Sequence, residues 1–256
     1  MSKALDCSSL EKEILTKVIE NKKDKKITIA IITFNKSIYE NLIIEKCLSL
    51  GIYFRHYKLD NSNTLEVISL INKLNKNNKI TGILLVEPIP TNIDKYACYE
   101  KIDINKDVDG VNQYYLSINR SNIVNSTVLA VKKILDSYNI SLDGKKVTII
   151  GRSYNISKPL ATYLLNLNST VTICHSKTKD LFLFLKKSDI IISATGVNNL
   201  FKSSDLKDDT VVIDIGIGDI LIDNGNISYT PKIKGIGPLS VACLLENLVT
   251  YCKKIK

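Results

Sequence analysis

The sequence predicts an α/β protein of two parallel-sheet domains, the second of them a dinucleotide-binding domain. Two observations carry this. Short apolar, β-branched runs alternate with helical apolar patterns along most of the 256 residues. Strands alternating with helices imply parallel sheets joined by right-handed crossovers. Within that alternation, Gly144–Thr178 reads as strand, tight turn, helix, strand and polar turn, which is half of a Rossmann-like fold.

The elements follow in order. A helical stretch, Leu10–Glu20, precedes the strand Ile27–Phe34. The helix Ile38–Leu50 ends at Gly51, a natural C-terminal cap. The strand Tyr53–Lys58, the helix Thr64–Asn75 and the strand Gly82–Val86 complete the first sheet, and Pro88 and Pro90 end its last strand. A loop region, Tyr99–Asn125, holds KDVDG (Lys106–Gly110), and the helix Thr127–Tyr138 leads into the second sheet. There Val147–Ile150 is a strand and Gly151 the sharp turn after it. The helix Ile156–Asn166 carries Pro159 near its start, where a missing N–H costs nothing. The strand Thr170–Cys174 follows. Asp189–Ala194 and Val211–Ile215 are short continuous apolar runs, typical of buried parallel strands. Gly196 and Gly216 end them, on the edge where open α/β sheets bind ligands. The last helix, Ser240–Cys252, is expected to pack back on the first domain. The domains are therefore drawn as 1–125 plus 238–256 for substrate and 126–237 for nucleotide, with the cleft between them as the default active site.

Composition narrows the function. Hydrophobic residues at 45% and charged residues at 24% suit a soluble globular protein. No apolar run approaches the ~20 residues of a membrane span. The N-terminus, MSKALDCSSLEKEIL, lacks the apolar core of a signal peptide. The six cysteines form neither a CxxC nor a metal-ligand spacing, so a reduced cytoplasmic setting is expected. With only His56 and His175 as histidines, no metal is expected. The net charge of +9 is spread in lysine pairs along the chain. There is no basic stripe interleaved with aromatics, so no nucleic-acid partner is expected.

The polar turn indicates which dinucleotide. A helix N-terminus after a tight turn offers N–H groups and positive charge to a pyrophosphate. About 20 residues further on, an NAD site carries an Asp or Glu for the ribose hydroxyls. This chain has His175, Ser176, Lys177 and Thr178 there, with Arg152 and Ser153 in the first turn. Cations and hydroxyls at that point suit a 2′-phosphate, so NADP is the expected cofactor. The full GxGxxG is absent: Gly151 stands alone, and Ser157 occupies a later turn position.

Five separated segments, GRSYNISKPLA, VTICHSKT, IISATG, VVIDIGI and GIGPLSVACLL, with KDVDG upstream, together resemble the bifunctional methylenetetrahydrofolate dehydrogenase/methenyltetrahydrofolate cyclohydrolase family. The resemblance covers nearly the whole chain. It implies a folate-type N-terminal α/β domain, an NADP-binding Rossmann domain, a cytoplasmic homodimer and tetrahydrofolate substrates. It also implies oxidation of 5,10-methylenetetrahydrofolate to the methenyl form, then hydrolysis to 10-formyltetrahydrofolate. Carried over by position, the resemblance assigns Gly151, Arg152, Ser153, Ser176 and Ile217 to the cofactor. It assigns Tyr39, Asp109, Gly237 and Pro238 to the folate, with Tyr39 and Asp109 nearest the chemistry.

The folate half departs from the family at chosen points. The family's YVxxK lysine falls on Ile43, and the glutamine of QLPLP falls on Val86 of VEPIP. PCTP becomes roughly NSTV, Asn125–Val128, and PGGVGPMT becomes IKGIGPLS, Ile233–Ser240. Lys46 is three residues beyond Ile43, on nearly the same helix side, and is the one candidate replacement. Glu87 alternates away from Val86 on a strand and is not expected to replace the glutamine. A positioned lysine contributes on the order of 100- to 10,000-fold as general acid/base, so a weak or absent cyclohydrolase is expected. The alternative is a catalytically inactive NADP-binding paralogue. A shikimate- or amino-acid-type dehydrogenase is set aside because no Lys/Asp dyad stands out.

Overall fold

The computed structural model describes residues 2–23, 25–35, 38–112 and 125–251. The chain opens with a two-residue strand, β1 (Lys3–Ala4), and a helix, α1 (Ser8–Lys22). By contact it divides into two units. Glu13–Ser126 and Val241–Lys256 form one; Met1–Lys12 and Thr127–Ser240 form the other.

The unit built on residues 13–126 holds β2 (Thr28–Thr33), α2 (Ile38–Ser49), β3 (Tyr53–Lys58), α3 (Thr64–Asn75), β4 (Gly82–Leu85) and α4 (Lys95–Lys101). Its parallel sheet has the order β3-β2-β4. Every residue of β2 is buried, as an apolar run covered on both faces should be. Ala30, Ile32 and Phe34 pack with Val67, Ile71 and Leu74 of α3 and with Cys98 and Tyr99 of α4. A reciprocal cap starts α3: Asn63 Oδ1 accepts from the Leu65 and Glu66 amides, and Glu66 Oε2 accepts from the Asn63 amide.

Helix α4 corrects the sequence expectation of a loop from Tyr99. Asp94 Oδ1 accepts from the Tyr96 and Ala97 amides, so a capped short helix holds the fully buried Tyr99. From the C-terminal helix, Asn247 Nδ2 donates to Val108 O at 3.1 Å. That segment groups with this unit from Val241 on.

The other unit contains α5 (Ser126–Ser137) from its second residue on, β5 (Lys146–Ile150), α6 (Ser157–Leu165), β6 (Thr170–Cys174), α7 (Leu181–Leu185), β7 (Ile190–Ser193), β8 (Phe201–Lys202), β9 (Val211–Asp214), β10 (Ile220–Leu221) and β11 (Ser228–Tyr229), and α8 (Ile236–Tyr251) begins in it. Its six-stranded sheet runs β1-β11-β9-β7-β5-β6, every pairing parallel. The chain leaves β5 to one side for β6, then returns on the other side for β7 and β9. The strand order therefore reverses beside β5, the place where such sheets take ligands. Residues 1–12 were expected with the substrate domain. They group here instead, because Lys3 and Ala4 pair with Ser228 and Tyr229 as an added edge strand. No described helix is long and apolar enough to cross a membrane.

Candidate active site

In the unit of residues 13–126, the isolated bridge between Ile83 and Asp107 lays the KDVDG segment parallel to β4. Two residues on, Asp109 therefore comes level with the carboxyl end of β4. Asp109 is half-buried. Its Oδ1 accepts from Ser126 Oγ at 2.5 Å and from Ser126 N at 3.3 Å, and its carbonyl accepts from Asn125 Nδ2 at 3.0 Å. Burial drives its carboxyl up to about 7; the Ser126 bonds pull it down, and the charges of Asp107 and Glu87 add to the rise. Asp107, 1% exposed, is raised to about 6 by burial against amide bonds that lower it.

Lys106 is a structural member of this segment. Its Nζ donates to the carbonyls of Leu74, Asn75 and Asn77 at 2.9, 2.7 and 2.9 Å. It thereby closes the C-terminus of α3, where four carbonyls lack helical partners.

Tyr39 lies in the first turn of α2 and is half-buried. Ile43, one turn on, is 0% exposed, and Val86 is 3% exposed. Both are core residues. Lys46 is half-buried in the last turn of α2.

Glu87 is exposed beside the buried Val86, the alternation expected of it. Its Oε1 accepts from Tyr99 Oη at 2.8 Å and from Lys95 Nζ at 2.9 Å, and its charge adds to the rise at Asp109. Burial first, then Glu87, raises the Tyr99 hydroxyl above its usual range. Sequence reasoning missed the Lys95–Glu87–Tyr99 cluster because Tyr99 was read as loop.

In the other unit the cofactor candidates collect along one edge. Parallel strands present their carboxyl ends together. Gly151 follows β5, Ser176 lies two residues past β6, and Ile217 lies three past β9. Gly151 has φ +120°, and a Cβ there would stand 2.9 Å from Ala194 O. Only glycine allows this approach.

Ser153 Oγ accepts from Ser157 N at 3.1 Å and lies 3.2 Å from Ser157 Oγ, so it orders the turn into α6. Arg152 is exposed. The turn after β6 is closed by its own groups. His175 N donates to Thr178 Oγ1 at 2.8 Å, and Lys177 N donates to His175 Nδ1 at 3.1 Å. Ser176 and Lys177 are left exposed.

Ile217 is 48% exposed with φ +60°, a conformation β-branched residues rarely adopt. Gly237 and Pro238 were expected before the last helix; α8 in fact begins at Ile236 and includes both. Pro tolerates the first turn because no acceptor is needed for its nitrogen. A Cβ on Gly237 would stand 3.5 Å from Ile217 Cδ1, so this unit brings a folate candidate beside a cofactor candidate. Among the described residues, no group of three or more His, Cys, Asp or Glu could hold a metal ion.

Residues 5–109 match the family model for the catalytic domain of tetrahydrofolate dehydrogenase/cyclohydrolase, and 125–256 match its NAD(P)-binding domain. The chain is similar to bifunctional protein FolD of Campylobacter jejuni, 40% identical over 224 residues, covering 81% of this chain and 79% of that one. It is similar to bifunctional protein FolD 1 of Colwellia psychrerythraea, 39% identical over 205 residues, covering 76% and 73%. The crystal structure of the Campylobacter jejuni enzyme superposes with a TM-score of 0.90 at 33% identity over 99% of both chains. A Trypanosoma brucei dehydrogenase-cyclohydrolase, solved with NADP cofactor and inhibitor, superposes at 0.89 with 26% identity over 99% and 98%.

Proposed function

The chain belongs to the tetrahydrofolate dehydrogenase/cyclohydrolase family, and from that premise we infer that it works in one-carbon folate metabolism, oxidising 5,10-methylenetetrahydrofolate with NADP. The observation that carries the cofactor half is the cradle at Gly151. A side chain there would fill the space beside Ala194 O, and the turn of residues 152–156 leads into the α6 N-terminus at Ser157, an arrangement that suits a pyrophosphate. Arg152, Ser153, Ser176 and Lys177 supply cations and hydroxyls for a 2′-phosphate, which supports NADP over NAD. Bound there, NADP supplies the hydride acceptor.

For the folate half we assign Tyr39 to stack on the pterin and Asp109 to hydrogen-bond it, with Gly237 and Pro238 lining the substrate near Ile217. Oxidation at the methylene carbon is chiefly a matter of holding two groups in line, which these residues can do. Hydrolysis asks for more: water must add to the methenyl carbon, lose a proton, and break the bond to one ring nitrogen, which is protonated. Ile43 and Val86 are buried hydrocarbon and move no proton. The cyclohydrolase step is therefore the weaker of the two, with Lys46 as the one lysine on the same helix to replace the lost group. The same two residues favour the second reading, an inactive NADP-binding paralogue.

The reading includes a homodimer, by likeness to the family, and a cytoplasmic setting, supported by five buried free cysteines. Light scattering in solution tests the first. The activity is tested by supplying methylenetetrahydrofolate and NADP, and following NADPH and the methenyl product separately. NADPH with accumulating methenyl product is expected. Ordinary hydrolysis would defeat the weak cyclohydrolase. Folded protein that makes no NADPH would leave the inactive paralogue.

A further inference from the structure

Two buried carboxylates sit behind the loop that carries Ile217. Asp219 is 0% exposed. Its Oδ2 accepts from Ser193 Oγ at 2.5 Å, Thr195 Oγ1 at 2.7 Å and Thr195 N at 2.9 Å. Its Oδ1 is buried with no hydrogen-bond partner among the described residues. A Cβ on Gly216 would lie 2.1 Å from that oxygen, so the carboxylate lies flat against the loop backbone. Asp214 holds the loop from the other side, its Oδ2 accepting from Gly218 N at 2.7 Å. Gly218 O accepts from Asn199 N at 2.8 Å, and Ser193 O accepts from Ile215 N at 2.7 Å.

We propose that Asp219 is a positioning residue for cofactor binding: its carboxylate ties the turn after β7, Ser193–Thr195, to the loop after β9, and so holds Ile217 in its left-handed conformation at the sheet edge. The inference rests on the reading that this edge binds NADP. A left-handed β-branched residue is strained and persists only where its surroundings over-determine it. Asp214, at the end of β9, and Asp219, bonded to Ser193 and Thr195, supply that determination from the two ends of the loop. Because one Asp219 oxygen accepts all three bonds, asparagine with its carbonyl in that place keeps them, whereas alanine loses them.

The test is NADPH titration by calorimetry of the full chain, wild type and variants, with tetrahydrofolate titrated into the same samples. Asp219→Ala is expected to weaken NADPH about tenfold or more while tetrahydrofolate binding stays within about twofold. Asp219→Asn keeps the three bonds but puts an unpartnered amide nitrogen in place of Oδ1, so it is expected to bind NADPH between wild type and the alanine variant and to keep tetrahydrofolate within about twofold. If Asp219→Ala does not fold, Thr195→Val removes one of the three bonds and is expected to weaken NADPH about fivefold. Folded Asp219→Ala that binds NADPH like wild type overturns the proposal. So does an equal loss of tetrahydrofolate, or an Asp219→Asn as weak as the alanine. A wild-type chain that binds tetrahydrofolate and not NADPH overturns the cofactor reading and, with it, this inference.

Discussion

Ser126 Oγ donates to Asp109 Oδ1 at 2.5 Å and Ser126 N reaches the same oxygen at 3.3 Å, yet these bonds do not keep Asp109 acidic. Burial and two neighbouring carboxylates outweigh them and lift the carboxyl to about 7, against ~3.9 unfolded. The folded chain therefore binds a proton there that the unfolded chain releases between those values. This contribution to stability is complete below about pH 4 and is lost as pH rises to about 7, with a slope of at most about 1.4 kcal/mol per pH unit. Asp107, raised to about 6, adds to the lower part of the window. Denaturant unfolding of Asp109→Asn between pH 4 and 8 is expected to show the decline ending near 6. An unchanged profile would refute the assignment.

Glu87 contributes to that rise from 22 residues away in sequence, through the Lys95–Glu87–Tyr99 cluster. Glu87→Gln keeps an acceptor for Tyr99 Oη and removes the charge. The upper end of the same stability decline is expected to move down, by less than one pH unit, as for a partly screened neighbour. A shift upward, or none, would show that Glu87 does not bear on Asp109.

Gly151→Ala tests the cradle. The new methyl would meet Ala194 O at 2.9 Å in a backbone with φ +120°. A loss of about 2 kcal/mol is expected from the left-handed conformation and the contact together, read as a midpoint shift in urea. NADPH binding is expected to fall with it, while Tyr39 and Asp109, in the other contact unit, keep their folate affinity. Unchanged NADPH affinity would place the pyrophosphate elsewhere.

The alternation of strands and helices was legible because β2, β5, β7 and β9 are near-continuous apolar runs, and Thr170–Cys174 and Thr64–Asn75 match to the residue. Strands of two residues left no such trace. Lys3–Ala4 is a strand only because Ser228–Tyr229 offers a parallel edge, and no local pattern encodes a partner 225 positions away. The sharp turn after β5 was legible at Gly151, where the backbone demands glycine. Asp219 was not, because its role comes from Ser193 and Thr195, at and just past the end of β7. The same applies to Glu87, whose direction is set by Tyr99 in a helix that the sequence reading took for loop.

Ser176 offers the sharpest test of NADP against NAD. The turn that carries it is closed by His175, Lys177 and Thr178 without using the Ser176 side chain in any bond among those given above, and Ser176 is exposed. Ser176→Asp therefore leaves the fold in place and sets a carboxylate where a 2′-phosphate is expected, the residue type an NAD site carries there. Two like charges a few ångströms apart near a surface cost on the order of 1–4 kcal/mol before screening. KM for NADP is expected to rise about tenfold or more, KM for NAD to stay level or fall, and the unfolding midpoint to remain unchanged. The effect should shrink as salt is added, because screening acts on the charge pair and not on the hydrogen bonds of the turn. Equal changes for both cofactors would mean that this turn does not read the 2′ position.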